Sequence, residues 1–322
     1  MKLDILIPHY RETAEVIKPL LDSIAVQQNV DFNNIGVIIC HDGKDIPDLI
    51  LPDYPFHIAQ ISQEHRGVSA TRNSCLDASS ADYVMFCDID DMFFNVCGLW
   101  MLFREFENGV FDSLVSAFIE ETRLPGTKQP EYITHDMDST FVHGKVHRRK
   151  YLVDKNIRWN ESLTIHEDSY FNILCQNLST NVKYCGSPFY LWKWRDDSVC
   201  RHDPKYILKT YRNMIASNDA LVDEFARRGV MDKSAFYTAF MIFDAYYTMN
   251  KPEWVNQENK EYRDSTELRF SEYYKKHKKV WSFIPSTDKM QISQGVRGRS
   301  VNEGMLMESV TIDQWLDKIE KL

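Results

Sequence analysis

The stretch Tyr83-Val84-Met85-Phe86-Cys87-Asp88-Ile89-Asp90-Asp91 constrains the fold more than any other part of the chain. A short apolar run bounded by polar residues reads as a buried strand. The carboxylates Asp88, Asp90 and Asp91 therefore stand at its carboxyl end. Open α/β sheets bind ligands beyond the carboxyl ends of strands. Clustered hard oxygen donors there suit Mg²⁺ or Mn²⁺ carrying a phosphorylated substrate. Taken alone, an Asp-x-Asp is more often an acidic turn that caps the next helix, with Asp91 as N-cap. The surrounding elements reverse that balance.

Those elements alternate. Leu3 to Ile7 is a short strand stopped by Pro8, and Ile17, Leu20, Leu21 and Ile24 recur at helical spacing between Glu15 and Gln28. Gly36 to Cys40 reads as a second strand, His57 to Ile61 as a weaker third, and Ser69 to Ala78 as a helix. This order implies right-handed crossovers and a mostly parallel, Rossmann-like sheet flanked by helices. Further on, Leu99 to Phe106 reads as a helix, Ser113 to Glu120 as a strand and Leu124 to Tyr132 as a loop. Thr140 to His143 is strand-like before Gly144, Glu167 to Gln176 is helical, and Lys183 to Trp192 holds another strand. From Pro204 the pattern turns wholly helical. We expect a domain over 1–203, with its two halves meeting at about 95, and a C-terminal helical region over 204–322.

Composition narrows the class. The chain has 322 residues, 43% of them hydrophobic, enough for one large core or two ordinary ones. A net charge of −9 weighs against a dedicated nucleic-acid binder. The basic, aromatic run Tyr273 to Lys279, with Arg297 and Arg299, is the one stretch that could offer DNA a positive face, and its default reading is a solvated helix surface. Seven cysteines in mostly apolar contexts, with no Cys-x-x-Cys, read as buried thiols of a reducing compartment. No stretch approaches the roughly 18 apolar residues of a membrane span. We therefore expect a cytoplasmic protein.

Four loops fall in order at strand ends: Pro8-His9-Tyr10-Arg11-Glu12, His41-Asp42-Gly43, His65-Arg66-Gly67-Val68-Ser69-Ala70-Thr71-Arg72-Asn73 and Asp88-Ile89-Asp90-Asp91. On this pattern the N-terminal portion, roughly residues 3 to 200, resembles the family-two glycosyltransferases with the A-type nucleotide-sugar fold. The match includes Pro8-x-Tyr10, Asp42-Gly43, Gly67 with Arg72-Asn73, where Thr71 stands between Ala70 and the Arg-Asn pair, and Asp88-x-Asp90-Asp91.

The resemblance implies an inverting, metal-dependent enzyme that moves one sugar from a nucleoside diphosphate sugar, UDP-linked by analogy, to a glycan or other hydroxyl acceptor. It implies a donor half to about residue 95, an acceptor half over about 96–203 and acceptor or oligomer contacts from 204–322, with a donor site of Pro8, Tyr10, Glu12, Asp42, Arg66, Arg72, Asp88 and Arg195. Asp42 would accept from the imide N–H of a uracil-like base, and Arg72 would contact the base or a phosphate. Asp90, with Asp88, would hold Mn²⁺ or Mg²⁺. Asp168 would be the general base, and Glu167 its neighbour toward the acceptor. Without the resemblance, Glu167-Asp168 is an acidic first helical turn favoured by the helix dipole. The basic residues of Gly144 to Leu152 lie where the family has an acceptor-side segment, or else form a solvated turn.

Leu191 to Ser198 resembles the family's closure over the diphosphate, where Arg195 would pair with phosphate oxygens. Some relatives place a metal-binding histidine two residues before that serine. Here Asp196 holds the position and His202 is the nearest histidine, so either completes the metal shell. The Gln-x-x-Arg-Trp signature of processive synthases is absent, which favours transfer of single sugars. A non-catalytic nucleotide-sugar-binding protein, and a transferase acting on modified DNA bases, are the competing readings.

Overall fold

The computed structural model describes residues 2–124, 126–196, 205–302 and 310–322. It divides the chain into two compact units, Met1–Ser198 and Val199–Leu322.

In the first unit β1 (Leu3–His9) is followed by α1 (Ala14–Ala25), β2 (Ile35–Asp42), β3 (His57–Gln63), α2 (Val68–Ala78) and β4 (Tyr83–Phe86). The residues of β2 and β4 are buried throughout, as strands covered on both faces must be. Helix α1 buries Ile17, Leu20, Leu21 and Ile24, the apolar stripe set by its 3.6-residue period. The chain continues through β5 (Met92–Phe93), α3 (Gly98–Glu107), β6 (Ser113–Arg123), β7 (Pro130–His135), β8 (Lys145–Arg148), α4 (Arg149–Asp154), α5 (Glu167–Leu178) and β9 (Val182–Trp192). Among the described residues one sheet runs β3-β2-β1-β4-β8-β6-β9-β5, with β7 paired to β6. The β3-β2-β1-β4 block is parallel, and β8 joins β4 and β6 antiparallel. The sheet is thus mixed, its parallel half matching the expectation and its far half extended by antiparallel strands. Strand β1 lies between β2 and β4, so the connections leave it in opposite directions. The crevice opened by such a reversal lies at the carboxyl ends of β1 and β4.

Three expectations for the middle of the chain are corrected. The segment read as a loop to Tyr132 already enters β7 at Pro130. The proline is tolerated because it takes the first position of the strand. Thr140 to His143 is turn rather than strand. The Asp138 carboxylate accepts the amides of Thr140 and Phe141, both at 2.8 Å, and Gly144 takes φ +66°, so extended structure starts only at Lys145. Nor is the basic segment after Gly144 a solvated turn, because Lys145 and His147 are buried in β8. Of the cysteines, Cys97 and Cys185 are half-buried rather than buried, and Cys200 lies outside the described residues.

Gly98 opens α3 against β9. A Cβ there would meet the Cβ of Phe189 at 2.7 Å, with backbone-fixed atoms on both sides. Gly98→Ala is therefore expected to destabilise this unit by about 1–3 kcal/mol. Thermal unfolding reads that directly, and an unchanged melting temperature would contradict the packing.

The second unit comprises α6 (Tyr206–Arg227), α7 (Met231–Met249), α8 (Pro252–Val255), α9 (Lys260–Phe283), α10 (Ser286–Asn302) and α11 (Ile312–Ile319). Its core gathers Ile215, Met241, Trp254, Phe270, Tyr273 and Trp315. In the run Tyr273 to Lys279 the aromatic residues and His277 are buried and the lysines exposed. Lys276 pairs with Asp219 at 2.7 Å and Lys278 with Glu320 at 2.6 Å, so two of its lysines are already matched by carboxylates. Among the described residues no helix is long and apolar enough to cross a membrane.

Candidate active site

A cleft of about 240 Å³ opens at the β1/β4 crevice, lined by Pro8, His9, Tyr10, Glu12, Asp42, Val68, Thr71, Asp88, Ile89, Asp90 and Arg195. Pro8 closes the β1 ladder and turns the chain outward. Tyr10 is 39% exposed and stacks on His65 at 4.8 Å, which leaves an aromatic face at the rim. Glu12 folds back so that its carboxylate accepts the amides of Tyr10 (3.0 Å) and Arg11 (3.2 Å) and holds the loop in shape.

Asp42 ends β2 and is buried. Its two oxygens accept the amide of Arg66 (2.8 Å), the amide of Gly67 (2.9 Å), the Gln63 side chain (2.8 Å) and His65 Nδ1 (2.8 Å). Burial opposes its ionisation. The Arg66 amide, the Gln63 amide and the Gly67 amide nevertheless hold its pKa below the usual carboxylate value. Gly67 takes φ +91°, a conformation that lets its amide face the carboxylate. A carboxylate offers about four lone-pair sites, so these four contacts satisfy Asp42, and the exposed His65 is the partner that faces solvent. Arg66 does not line the cleft; its guanidinium pairs with Glu161 at 2.5 Å.

Arg72, on the inner face of α2, is 4% exposed and lies over the Trp159 ring at 4.4 Å. Its guanidinium bridges Asp88 Oδ1 (2.9 Å) and Glu167 Oε1 (3.0 Å). Burial works against the charge, and Asp88 and Glu167 outweigh it, so Arg72 stays protonated. In this arrangement it joins two carboxylates contributed by distant parts of the chain. Asn73 fixes the facing segment, donating to the Trp159 carbonyl (3.0 Å) and accepting its amide (3.0 Å). Beside Glu167, at the start of α5, the half-buried Asp168 has its pKa pushed up to about 7. Burial is the main cause, with Glu167 and Asp88 adding to it and Arg72 opposing.

The three acids after β4 diverge. Asp88 faces Arg72. Asp90 pairs with Arg195 at 3.0 Å. Asp91 is fully buried, accepting the Tyr190 hydroxyl (2.6 Å) and the Lys193 amide (3.0 Å). Asp88, Asp91 and His143 bring ligand atoms within 4.8 Å of one another. Burial first, and then the charge of Asp88, push the pKa of Asp90 up. Crowded carboxylates of this kind are what a hard divalent cation relieves, so the donor set fits Mn²⁺ or Mg²⁺. Asp90 and Asp88, which line the cleft, would hold it. Asp196 accepts from the Trp194 indole at 2.9 Å, and His202 lies outside the described residues.

A family model described as glycosyl transferase family 2 matches residues 4–166, about half of the chain. The chain belongs to glycosyltransferase family 2. The minor teichoic acid biosynthesis protein GgaB of Bacillus subtilis is 28% identical over 169 residues, which cover 45% of this chain and 18% of GgaB. Glycosyltransferase GlyA of Streptococcus pneumoniae is 25% identical over 226 residues, 62% of this chain and 32% of GlyA. The chain thus spans less than a third of the length of these two relatives. Among solved structures, S. aureus TarS 1–349 in complex with UDP has TM-score 0.58 at 14% identity, covering 97% of this chain and 94% of that one. At that identity the likeness concerns the fold alone, a mixed α/β sheet with a C-terminal helical region.

Several residues around this family-2 cleft escape a sequence reading. Tyr190 and Trp159 hold the carboxylates or the walls behind them, yet each is an ordinary core type. Lys145 is buried in β8, with a pKa pushed down to about 8 by burial against the pull of Asp138 and Asp168. Its basic neighbours disguise it as part of a surface patch.

Proposed function

We propose that this chain is an inverting, metal-dependent glycosyltransferase that moves one sugar from a UDP-linked donor to an acceptor hydroxyl, with Asp168 as general base. One observation carries the reading: Arg72 ties Asp88, at the nucleotide cleft, to Glu167, the immediate neighbour of Asp168. Donor-side and base-side carboxylates are thereby held on a single buried guanidinium. An uncharged Asp168 would be useless as a base. With a pKa near 7 it is about half ionised at neutral pH and can take the acceptor proton as the hydroxyl attacks the anomeric carbon. Glu167, held by Arg72, keeps the first turn of α5 in register with the cleft. Arg195 exchanges Asp90 for phosphate oxygens. A divalent cation on Asp90 and Asp88 would neutralise the charge that develops on the leaving nucleoside diphosphate.

The UDP and UDP-GlcNAc complexes of TarS support a uridine nucleotide, and the teichoic-acid role of GgaB supports a glycan or polyol polymer as acceptor. In this reading residues 1–203 are the catalytic domain and 204–322 serve the acceptor or a second copy. We assign the protein to the cytoplasm, where its buried thiols would stay reduced.

Thermal unfolding with uridine, guanosine and adenosine diphosphates, each with and without Mn²⁺, tests the donor. A ligand at about 100 times its Kd adds about 2.7 kcal/mol. A Mn²⁺-dependent rise with UDP and none with the others is expected. No rise with any nucleotide, or equal rises with all, would overturn the assignment.

A further inference from the structure

His9 and His41 are opposite one another in the parallel β1–β2 ladder, and both are buried. Their rings meet edge to face, with Nδ1 to Nδ1 at 2.6 Å. The outer nitrogens decide the protonation of the pair. His9 Nε2 lies 2.8 Å from the Glu12 carbonyl oxygen, which can only accept, so this nitrogen carries a proton. His41 Nε2 lies 3.1 Å from Gln60 Oε1. That amide cannot be turned round, because Gln60 Oε1 accepts the Leu49 amide at 2.7 Å and Gln60 Nε2 donates to the Leu49 carbonyl at 3.0 Å. His41 Nε2 therefore carries a proton too. Two neutral imidazoles have one N–H each, and both are then spent outward. The inner contact would be left as two lone pairs facing each other at hydrogen-bond distance, which is repulsive.

We infer that His9 and His41 share a third proton, and that the resulting single positive charge in the cleft floor contributes to holding the diphosphate of the nucleotide donor. His9 lines the cleft, whose other charged lining residues are the carboxylates Glu12, Asp42, Asp88 and Asp90 and the guanidinium of Arg195. That is a poor balance for an anionic ligand, and the histidine pair corrects it from below.

The groups facing the pair are Glu12 from the loop after β1, 3.9 Å from His9 Nε2, and Asp48 from the loop after β2, 3.4 Å from His41 Nε2. Asp42 follows His41 along β2, Gln60 comes from β3, and α2 contributes the Cys75 thiol beside Cys40. Burial and then the His9 ring push the pKa of His41 down, against Asp48 and Gln60, so the pair takes up one charge and not two. A cationic pair favours the anionic donor. Affinity is therefore full at low pH and falls as pH rises through the pair's titration.

The assignment to the donor rests on the function proposed above, and two readouts separate the failures. Two-bond ¹H–¹⁵N spectra of the ligand-free full chain, with His9→Gln and His41→Gln assigning the signals, should count three N-bound protons on the two rings. Only two would overturn the inference whatever the protein binds. Calorimetric titration with UDP-GlcNAc and Mn²⁺ across pH should then show affinity falling with rising pH. The sugar diphosphate is a diester, so the ligand itself does not titrate in this range. The His41→Gln variant should bind on the order of tenfold more weakly at the acidic end and lose the pH dependence. Asp48→Asn, an exposed change that leaves the rings in place, should move the transition to lower pH. A wild-type affinity flat with pH, or no shift in Asp48→Asn, would overturn the role in donor binding. Three protons without any UDP-GlcNAc binding would leave the charge standing and remove the donor as its ligand.

Discussion

Replacing Asp168 by Asn is expected to lower sugar transfer at least about 10²-fold, the usual range for a general base, while leaving donor affinity intact. Asparagine keeps the size of the side chain and its contact with the Ser169 amide, 3.0 Å from Oδ1, but cannot take a proton. The pH profile makes the test specific. The carboxyl is pushed up to about 7, chiefly by burial, so wild-type kcat/KM should climb with pH and level off above about 7. The variant's residual activity should lack that inflection. Stability responds with the opposite sign. The folded pKa exceeds the unfolded value of 3.8, so between the two the folded state binds the extra proton, and stability is lost as pH rises toward 7. Above that pH the buried charge is a burden that asparagine removes, and the variant should melt higher than wild type. Retention of full transfer, or an unaltered pH profile, would take Asp168 out of the mechanism.

Asp90→Ala is expected to abolish Mn²⁺-stimulated donor hydrolysis, a loss of about 10²-fold or more given the several kcal/mol a metal contributes to such transition states. It should also remove the Mn²⁺ dependence of donor binding. The neighbouring acid provides the control. Asp90 faces the cleft and pairs there with Arg195, whereas Asp91 is sealed beneath Tyr190 and the Lys193 amide. Asp91→Ala should therefore lower the melting temperature by leaving a buried hydroxyl and amide unsatisfied, at about 1–3 kcal/mol each. Asp90→Ala should melt close to wild type. Donor hydrolysis by Asp90→Ala that still responds to Mn²⁺ would refute the metal role.

The parallel half of the sheet was legible because its signals are local. Five or so apolar residues ending in Pro8, Asp42 or Asp88 declare a buried strand and its carboxyl end within one window. The helix of Ile17, Leu20, Leu21 and Ile24 declares its inner face by period alone. The antiparallel half was less legible. Asp138 capping a turn and Gly144 at positive φ displaced the expected strand to Lys145. The pairing of β8 between β4 and β6 then buried a lysine and a histidine that look like surface residues.

The site divides along the same line. That Asp88, Asp90 and Asp42 sit at strand ends follows from residue order, because a strand's polarity and the crossover rule leave them one edge of the sheet to occupy. What each acid touches does not follow, because its partners arrive from far along the chain. Arg72 meets Glu167, Asp90 meets Arg195 and Asp91 meets Tyr190 only once α5 and β9 have packed. The histidine pair depends on the β1–β2 register, which a shift of one residue would break. Short-range sterics and hydrophobic period are written in consecutive residues. Charge pairing, burial and the pKa values they set depend on distances that exist only after folding.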